Sequence, residues 1–274
     1  MHARVAIDGG EVGIDLQRPL ELALELDFCG PQPRHFGAPR ASARPFEAAG
    51  SDFKGSVARG SSCNCDLITL IPHCNGTHTE AVGHLTRERF DAWRVAPTGL
   101  VPALLLSIAP EPAAGEDSEP LPQPGDRLIT QRALERAWPA TLPFAPQALV
   151  IRTLPNTLDK RVRDYTGHTP PYLSRQAAEL LVGRAILHLV VDVPSIDRTH
   201  DAGRLTAHRI FFGLPRGATQ LEAAVRPHAT ITELAFVPDG AADGPYLLQV
   251  QVPALTGDAV PSRPLLYALT ERIS

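Results

Sequence analysis

The alternation of hydrophobic and polar positions predicts short strands more often than helices. Between residues 20 and 26 leucine occupies every second position, which is the period of a half-buried strand. Further strands are predicted at 65–72, 100–109, 149–152, 186–191, 230–237, 246–252 and 265–269. Helices are predicted at 130–138, ended by Pro139, and at 174–181, with Ser174 as N-cap and Gly183 as terminator. Strands dominate, and at least one strand–loop–helix–strand unit is present, so the pattern predicts a mixed α/β (α+β) domain.

Composition narrows the class of protein. The chain has 274 residues, 43% of them hydrophobic, and no linker divides it, so we expect a single domain over 1–274. A net charge of −4 gives no reason to expect a nucleic-acid partner, and no apolar run approaches the length of a membrane span. Four irregularly spaced cysteines and an N-terminus unlike a signal peptide predict a cytoplasmic protein with reduced thiols.

The segment 72–85, PHCNGTHTEAVGHL, concentrates residues that bind metal ions. Four of them share one parity: Cys74, His78, Glu80 and His84. On an extended chain, residues of one parity point to the same side, and an apolar strand leads directly into this segment. His73 has the opposite parity, so spacing favours Cys74 over His73 as a ligand. Gly76 can mark a bulge that resets the alternation, which keeps His73 as the alternative.

The run from Cys74 to His84 also resembles a known signature. Cyclase-like metal-dependent hydrolases, which include bacterial kynurenine formamidases and isatin hydrolases, carry His-x-Gly-Thr-His-x-Asp-x-x-x-His. Here Gly-Thr-His and the last histidine stand in place, whereas Cys74 replaces the first histidine and Glu80 the aspartate. The family's usual proline after the acidic residue is missing. Further segments resemble the family and stand in the family's order. The segment 14–16 precedes the run from Cys74 to His84, and the segments 186–198, 205–212 and 230–236 come after it.

The resemblance implies a fold, an assembly and a set of ligands. The fold would be a three-layer, swivelling β/β/α domain with a mixed, partly barrel-like sheet, assembled as a homodimer or homotetramer. One or two metal ions would be bound by Cys74, His78, Glu80, His208 and Glu233. His208 would be an additional or second-metal ligand, and His84 would be the general acid/base.

The activity that the resemblance implies is hydrolysis of a C–N amide bond in a small formamide or cyclic amide. A thiolate at position 74 favours zinc over manganese as the cofactor. A non-catalytic member with a structural zinc, serving in ligand binding or assembly, stays as the alternative, and a lactone-type hydrolase as a further one.

Other polar residues have structural interpretations. Cys63 and Cys65 are interpreted as small residues of one strand face, and His188 as a core histidine. The turn containing Asp192, Ser195 and Asp197 is expected to bind backbone rather than to supply a nucleophile. Weak candidates for a substrate pocket are Phe28, Phe36, Trp93, His168 and Tyr172. The histidines expected at the surface are His2, His35, His200 and His228.

Overall fold

The computed structural model of the chain describes residues 1–7 and 10–273. Its strands are β1 (His2–Ile7), β2 (Gly10–Asp15), β3 (Leu20–Glu21), β4 (Ser42–Pro45), β5 (Asp66–Thr69), β6 (His78–Glu80), β7 (Val101–Ile108), β8 (Leu128–Ile129), β9 (Ala148–Thr153), β10 (Tyr172–Leu173), β11 (His188–Val191), β12 (Thr230–Glu233), β13 (Gly244–Gln251), β14 (Ala259–Pro261) and β15 (Arg263–Ile273). Its α-helices are α1 (Ala92–Val95), α2 (Gln131–Ala137), α3 (Arg175–Gly183) and α4 (Thr206–Phe212). Short 3₁₀ helices lie at Val57–Arg59, Pro72–Cys74, Val82–His84, Leu158–Arg161 and Leu221–Ala223.

One large mixed sheet organises the fold. Its strands follow the order β1-β2-β15-β13-β7-β9-β11-β12-β6-β14, and β3 pairs with β15 outside this path. The four central strands β7, β9, β11 and β12 run parallel, whereas their outer neighbours pair antiparallel. The sheet stays open, with β1 and β14 at the two ends of its strand order.

The two faces of the central strands bury separate cores. Along β7, Leu104 and Leu106 join the core that the helices cover, which includes Leu181 of α3 and Phe211 of α4. The alternate residue Leu105 joins the second core on the opposite face. This period of two follows from the pleat of a strand, and burial on both faces explains the continuous apolar runs of the central strands. The helices on one face and the mixed sheet confirm the predicted mixed α/β class.

Both predicted helices are present, and Ser174 is the N-cap of the second as predicted. The Thr130 hydroxyl accepts a hydrogen bond from the Ala133 N–H, and the Ser174 hydroxyl accepts one from the Ala177 N–H. Each bond satisfies a donor that the first turn of a helix leaves without a partner. The predicted strand at 20–26 shortens to β3, because the Leu24 N–H donates to the Thr77 hydroxyl instead of a neighbouring strand.

Strands β4 and β5 form a separate two-stranded sheet, which we call the β4–β5 arm. All four residues of β5 are exposed, including Leu67 and Ile68. Ile68 is 54% exposed, and the nearby Phe46 and Ile71 are 43% and 41% exposed. Leu67 and Ile68 are consecutive in β5 and therefore point to opposite faces of the arm, so each face presents exposed apolar surface. A two-stranded sheet has little stability of its own, and exposed apolar surface commonly marks a contact site.

Candidate metal centre

The histidine-rich segment enters and leaves the large sheet in three short pieces. Pro72–Cys74 is a 3₁₀ helix, His78–Glu80 is β6, and Val82–His84 is again a 3₁₀ helix. Gly76 joins the first two pieces with φ of +106°, a conformation that glycine adopts far more easily than other residues. A Cβ there would also lie 3.0 Å from the Leu26 side chain. Strict alternation of side chains therefore holds only within β6.

Strand pairing and one helix bring four polar side chains together. In the register of β6 and β12, His78 lies directly opposite Glu233. The His78 Nε2 lies 3.5 Å from Glu233 Oε2, and α4 places His208 Nε2 2.9 Å from Glu80 Oε1. All four side chains are 4% exposed or less. Two carboxylates and two imidazoles thus share one buried space.

The hydrogen bonds around this space fix which ring nitrogens face it. The His78 Nδ1 lies 3.0 Å from the Gly76 carbonyl, which only accepts, so Nδ1 carries the proton and Nε2 a lone pair. The Asp197 carboxylate contacts His208 Nδ1 at 2.7 Å in the same way. The Glu233 Oε1 accepts a bond from the Ile196 N–H. Such outer partners set the tautomer and orientation of metal-binding histidines.

Several buried atoms of the cluster have no hydrogen-bond partner in the described residues. They are His78 Nε2 and both carboxylate oxygens of Glu80. The 2.9 Å contact of Glu80 with His208 has ion-pair distance without hydrogen-bond alignment. Buried polar atoms are nearly always paired, so several unpaired lone pairs that converge match a cation-binding site. The residues present therefore fit a divalent metal such as zinc or manganese.

The charges of the cluster keep the Glu80 carboxylate ionised despite its burial. Burial alone would raise the pKa of the Glu80 carboxyl, but the neighbouring imidazoles of His84 and His208 hold it well below its usual range. Burial would lower the pKa of His208, but the charge of Glu80 and the hydrogen bond to Asp197 hold it well above its usual range. Carboxylates that stay ionised attract protons or metal ions, which compete for the same lone pairs.

The structure brings His73 rather than Cys74 to the cluster. Among the described residues, three groups have ligand atoms within 4.8 Å of one another: His73, His78 and Glu80; His73, His84 and Asp258; and Glu80, His84 and His208. The His73 Nδ1 lies 3.1 Å from Glu80 Oε2. Cys74 and Glu233 both lie outside these groups, but Glu233 is 3.5 Å from His78 Nε2 and from His208 Nε2. Burial raises the pKa of the Cys74 thiol, which disfavours the thiolate. The parity argument assumed an extended chain, whereas Pro72–Cys74 is helical.

Asp258 is a member of the site that the sequence did not indicate. Its Oδ2 lies 2.8 Å from His73 Nε2 and 3.2 Å from His84 Nδ1. It precedes β14, which pairs with β6 and places Ala259 opposite Glu80. A carboxylate in a turn, far from the histidine segment in sequence, carries no local signal that predicts this position.

A cavity of about 620 Å³ opens onto the cluster. The residues that line it include His73, Cys74, His84, Glu80 and Glu233 and also His35, Phe36, His200 and Leu205. The expectation that His35 lies at the surface was wrong, because this residue is only 5% exposed. Its Nδ1 is buried without a hydrogen-bond partner among the described residues, and burial lowers the pKa of its imidazole. A neutral imidazole thus lines the cavity beside the acidic cluster.

Residues with left-handed backbone cluster around this cavity. Phe36, Ala202 and Leu205 line it with φ between +47° and +59°. Leu234, which follows Glu233 directly, has φ of +52°. Residues other than glycine adopt this conformation at a cost of about 1–2 kcal/mol each, and they concentrate at functional sites.

The weak pocket candidates from the sequence fall in different places. Phe36 lines the cavity, whereas Phe28, Trp93, His168 and Tyr172 are not among its lining residues in the described part of the chain. Tyr172 is turned inward, with its hydroxyl 2.8 Å from Asp126, and Arg94 stacks on the Trp93 ring.

Comparison with known proteins identifies the family. The sequence model of the Cyclase family matches residues 14–198, which is well over half of the chain. The chain therefore belongs to the Cyclase family. A comparison with curated protein sequences found no significant match.

Solved structures share the fold. An isatin hydrolase bound to the product analogue thioisatinate aligns with a TM-score of 0.61 at 16% identity, covering 92% of this chain and 93% of its own. A structure described as a potential metal-dependent hydrolase with cyclase activity gives 0.59 at 15% identity, covering 91% and 97%. Isatin hydrolase A from Ralstonia solanacearum gives 0.56 at 16% identity, covering 92% of each chain. At these identities the likeness establishes the fold.

The helices of the described residues are all too short or too polar to cross a membrane.

Proposed function

We propose that the chain is a metal-dependent hydrolase that cleaves the C–N bond of a small formamide or cyclic amide. The observation that carries this proposal is the convergence of unpaired buried lone pairs of His78 and Glu80 with His208 and Glu233 below an open cavity. We further propose that these four residues bind one divalent ion together with His73, with Cys74 as the alternative fifth ligand.

A divalent ion bound here supplies Lewis-acid chemistry, because it polarises a carbonyl and makes water more acidic. The side chains of this chain supply the rest. With its Nδ1 beside Asp258, His84 has Nε2 left to move a proton to the leaving nitrogen. The neutral His35 imidazole in the cavity wall is placed to donate a hydrogen bond to the substrate.

The cavity supports a compact, partly apolar substrate. A volume of about 620 Å³ is within the range of small-molecule sites, and Phe36 and Leu205 offer apolar surface beside the polar cluster. One structural neighbour is an isatin hydrolase bound to the product analogue thioisatinate. Isatin itself is a cyclic amide. We therefore place cyclic amides first and formamides second among the substrates to test.

The alternative is a non-catalytic member with a structural zinc. A structural zinc site is closed by four protein ligands, whereas a catalytic site keeps a position for water or substrate. The cavity that reaches His73, Glu80 and Glu233 favours the catalytic interpretation. A lactone-type hydrolase would use the same cluster, so lactones belong in the substrate screen.

The first experiment measures metal per chain and hydrolysis in the same preparation. Protein purified without chelator should contain zinc or another divalent ion, and reconstituted protein should open a cyclic amide or cleave a formamide. His84→Gln should keep its metal and lose about 10²–10⁴-fold in kcat, because it lacks the proton carrier. Absence of bound metal after reconstitution would reject the hydrolase. Bound metal without hydrolysis of any amide or lactone would favour the structural-zinc alternative.

We also infer that the chain forms a homodimer or a larger homo-oligomer through the β4–β5 arm. Exposed Ile68, Phe46 and Ile71 support this inference, because an arm of this kind gains stability when its apolar side chains are covered. Light scattering should show at least two copies in wild type and a monomer in Ile68→Asp. A monomeric wild type at micromolar concentration contradicts the inference.

A further inference from the structure

Asp258 contacts two histidines of the site with one oxygen. Its Oδ2 lies 2.8 Å from His73 Nε2 and 3.2 Å from His84 Nδ1, and the two rings are 4.2 Å apart. Its side chain is 42% exposed, so it lies at the rim of the buried cluster. Neither the fold nor the sequence signature assigns it a role.

An ionised carboxylate only accepts hydrogen bonds, and this fixes both rings. The Asp258 carboxyl is partly exposed and has two ring nitrogens within hydrogen-bond distance, so it is ionised at neutral pH, as an aspartate ordinarily is. A ring nitrogen facing it must therefore carry a proton. In its neutral form, His73 then has its lone pair on Nδ1, which faces Glu80 Oε2 at 3.1 Å. His84 has its lone pair on Nε2.

The backbone holds the carboxylate in this position. The Ala81 N–H donates to the Asp258 carbonyl at 2.9 Å, and the Ala92 N–H donates to the Gly257 carbonyl at 2.8 Å. Both bonds join the turn before β14 to the chain that follows β6. Asp258 is thus positioned relative to the same strand that carries His78 and Glu80.

We propose that Asp258 is a positioning residue that sets the tautomers of two histidines with different roles. Through His73 it presents Nδ1 to the metal, and through His84 it presents Nε2 for proton transfer. The role of Asp258 toward His84 rests on the proposed function. Its role toward His73 requires only that the protein binds a metal ion. Outer carboxylates of this kind typically change metal affinity or activity by about 10–100-fold when removed.

The decisive measurement on wild type is the two-bond ¹H–¹⁵N spectrum of its histidine rings, recorded on zinc-loaded protein. We expect the proton of His84 on Nδ1 and that of His73 on Nε2. A His84 ring with its proton on Nε2 overturns the proposal, and this result needs no variant. If the protein binds no zinc, the proposed function fails separately, and the His84 tautomer still decides the role of Asp258.

The second measurement uses Asp258→Asn, with Asp117→Asn as the matched control. Asp117 is likewise ion-paired, with Arg175, and its side chain is 34% exposed. We expect Asp258→Asn to lose about 10–100-fold in zinc affinity, and to lose kcat rather than raise KM at saturating zinc. Asp258→Glu should recover part of the zinc affinity and part of kcat. Asp117→Asn should have the zinc affinity and kcat of wild type.

Two outcomes would overturn the role of Asp258. One is a zinc affinity within threefold and a kcat within twofold of wild type in Asp258→Asn. The other is the loss of a second equivalent of zinc per chain in that variant, since Asp258 would then be a metal ligand rather than a positioning residue.

Discussion

Two buried ionic clusters in this molecule use their charges in opposite ways. In the first, the Lys160 ammonium lies 2.8 Å from Asp192 Oδ2 and 2.8 Å from the Thr153 hydroxyl. Thr153 in turn donates its N–H and its hydroxyl to the two oxygens of Asp192. Every side-chain polar atom of this triad has a partner from the protein, which agrees with the expectation that Asp192 is structural.

The second cluster, around Glu80, is as deeply buried but incomplete. Both Glu80 oxygens and His78 Nε2 have no hydrogen-bond partner among the described residues, although two imidazoles lie close by. A buried charge is costly unless it is paired and hydrogen-bonded. The comparison teaches that the completeness of the hydrogen bonding, rather than burial or charge, separates a structural ion pair from a cation site.

Removing a charge from the incomplete cluster should have the largest effect on function. Glu80→Gln should lose about 4 kcal/mol of transition-state stabilisation, or about a thousandfold in kcat/KM, because the metal is lost or misplaced. Zinc content should fall with activity. A variant that keeps zinc and activity would show that Glu80 is not a ligand.

Breaking the complete cluster should act on stability instead. Lys160→Met leaves the Asp192 carboxylate buried without its cation and should cost about 3–5 kcal/mol of unfolding free energy in a denaturant titration. Asp192→Asn added to Lys160→Met should recover part of that loss. The folded variant should keep its zinc per chain. A loss below about 1 kcal/mol would contradict the comparison.

His188 provides a third case, a buried imidazole with a neutral partner. Its Nδ1 lies 2.9 Å from the Thr230 hydroxyl, and burial lowers the pKa of its ring to about 4. The unfolded chain takes up this proton near pH 6.5, so acid favours unfolding. The stability contribution is complete above pH 6.5 and should fall by about 3 kcal/mol as the pH drops to 4.

The measurement for His188 is the difference in unfolding free energy between wild type and His188→Gln across this pH range. Subtracting the variant removes the titration of other groups. A difference that stays constant between pH 7.5 and 4.5 would show that the folded protein takes up a proton on His188 at the same pH as the unfolded chain.

The smallest effect is expected at Cys74. Cys74→Ala should change zinc affinity by about 0.5 kcal/mol or less, or roughly twofold, because its thiol lies outside the three ligand groups. His73→Ala is the matched variant and should weaken zinc binding strongly. The reverse pattern would restore the ligand choice that the sequence spacing favours.

Local features of the fold could be predicted from the sequence, and distant pairings could not. The capped helix α3 was predicted from Ser174 and the apolar positions that follow it. The N-cap residue of helix α4, Leu205, is left-handed and has no capping side chain. The Ala207 and His208 N–H groups of its first turn donate instead to the Asp197 carboxylate, so no local start signal marks this helix. The order of strands depends on contacts between residues far apart in sequence, which periodicity does not encode.

The site divides in the same way. His78, Glu80 and His84 lie in one contiguous segment, which made the segment recognisable. The choice between His73 and Cys74 depends on a 3₁₀ turn that spacing does not reveal. Asp258 reaches His84 across 174 residues of sequence, through the register of β14 with β6.

The left-handed residues around the cavity bear on how this chemistry can be transferred to another protein. Phe36, Ala202, Leu205 and Leu234 adopt backbone conformations that few residues other than glycine tolerate. Copying only the ligand side chains onto another scaffold would omit this backbone conformation and the turns that position it around the cavity. A designer who wants the site would need to graft the surrounding loops with it, and could introduce glycine at 202 to lower the conformational cost in the new host.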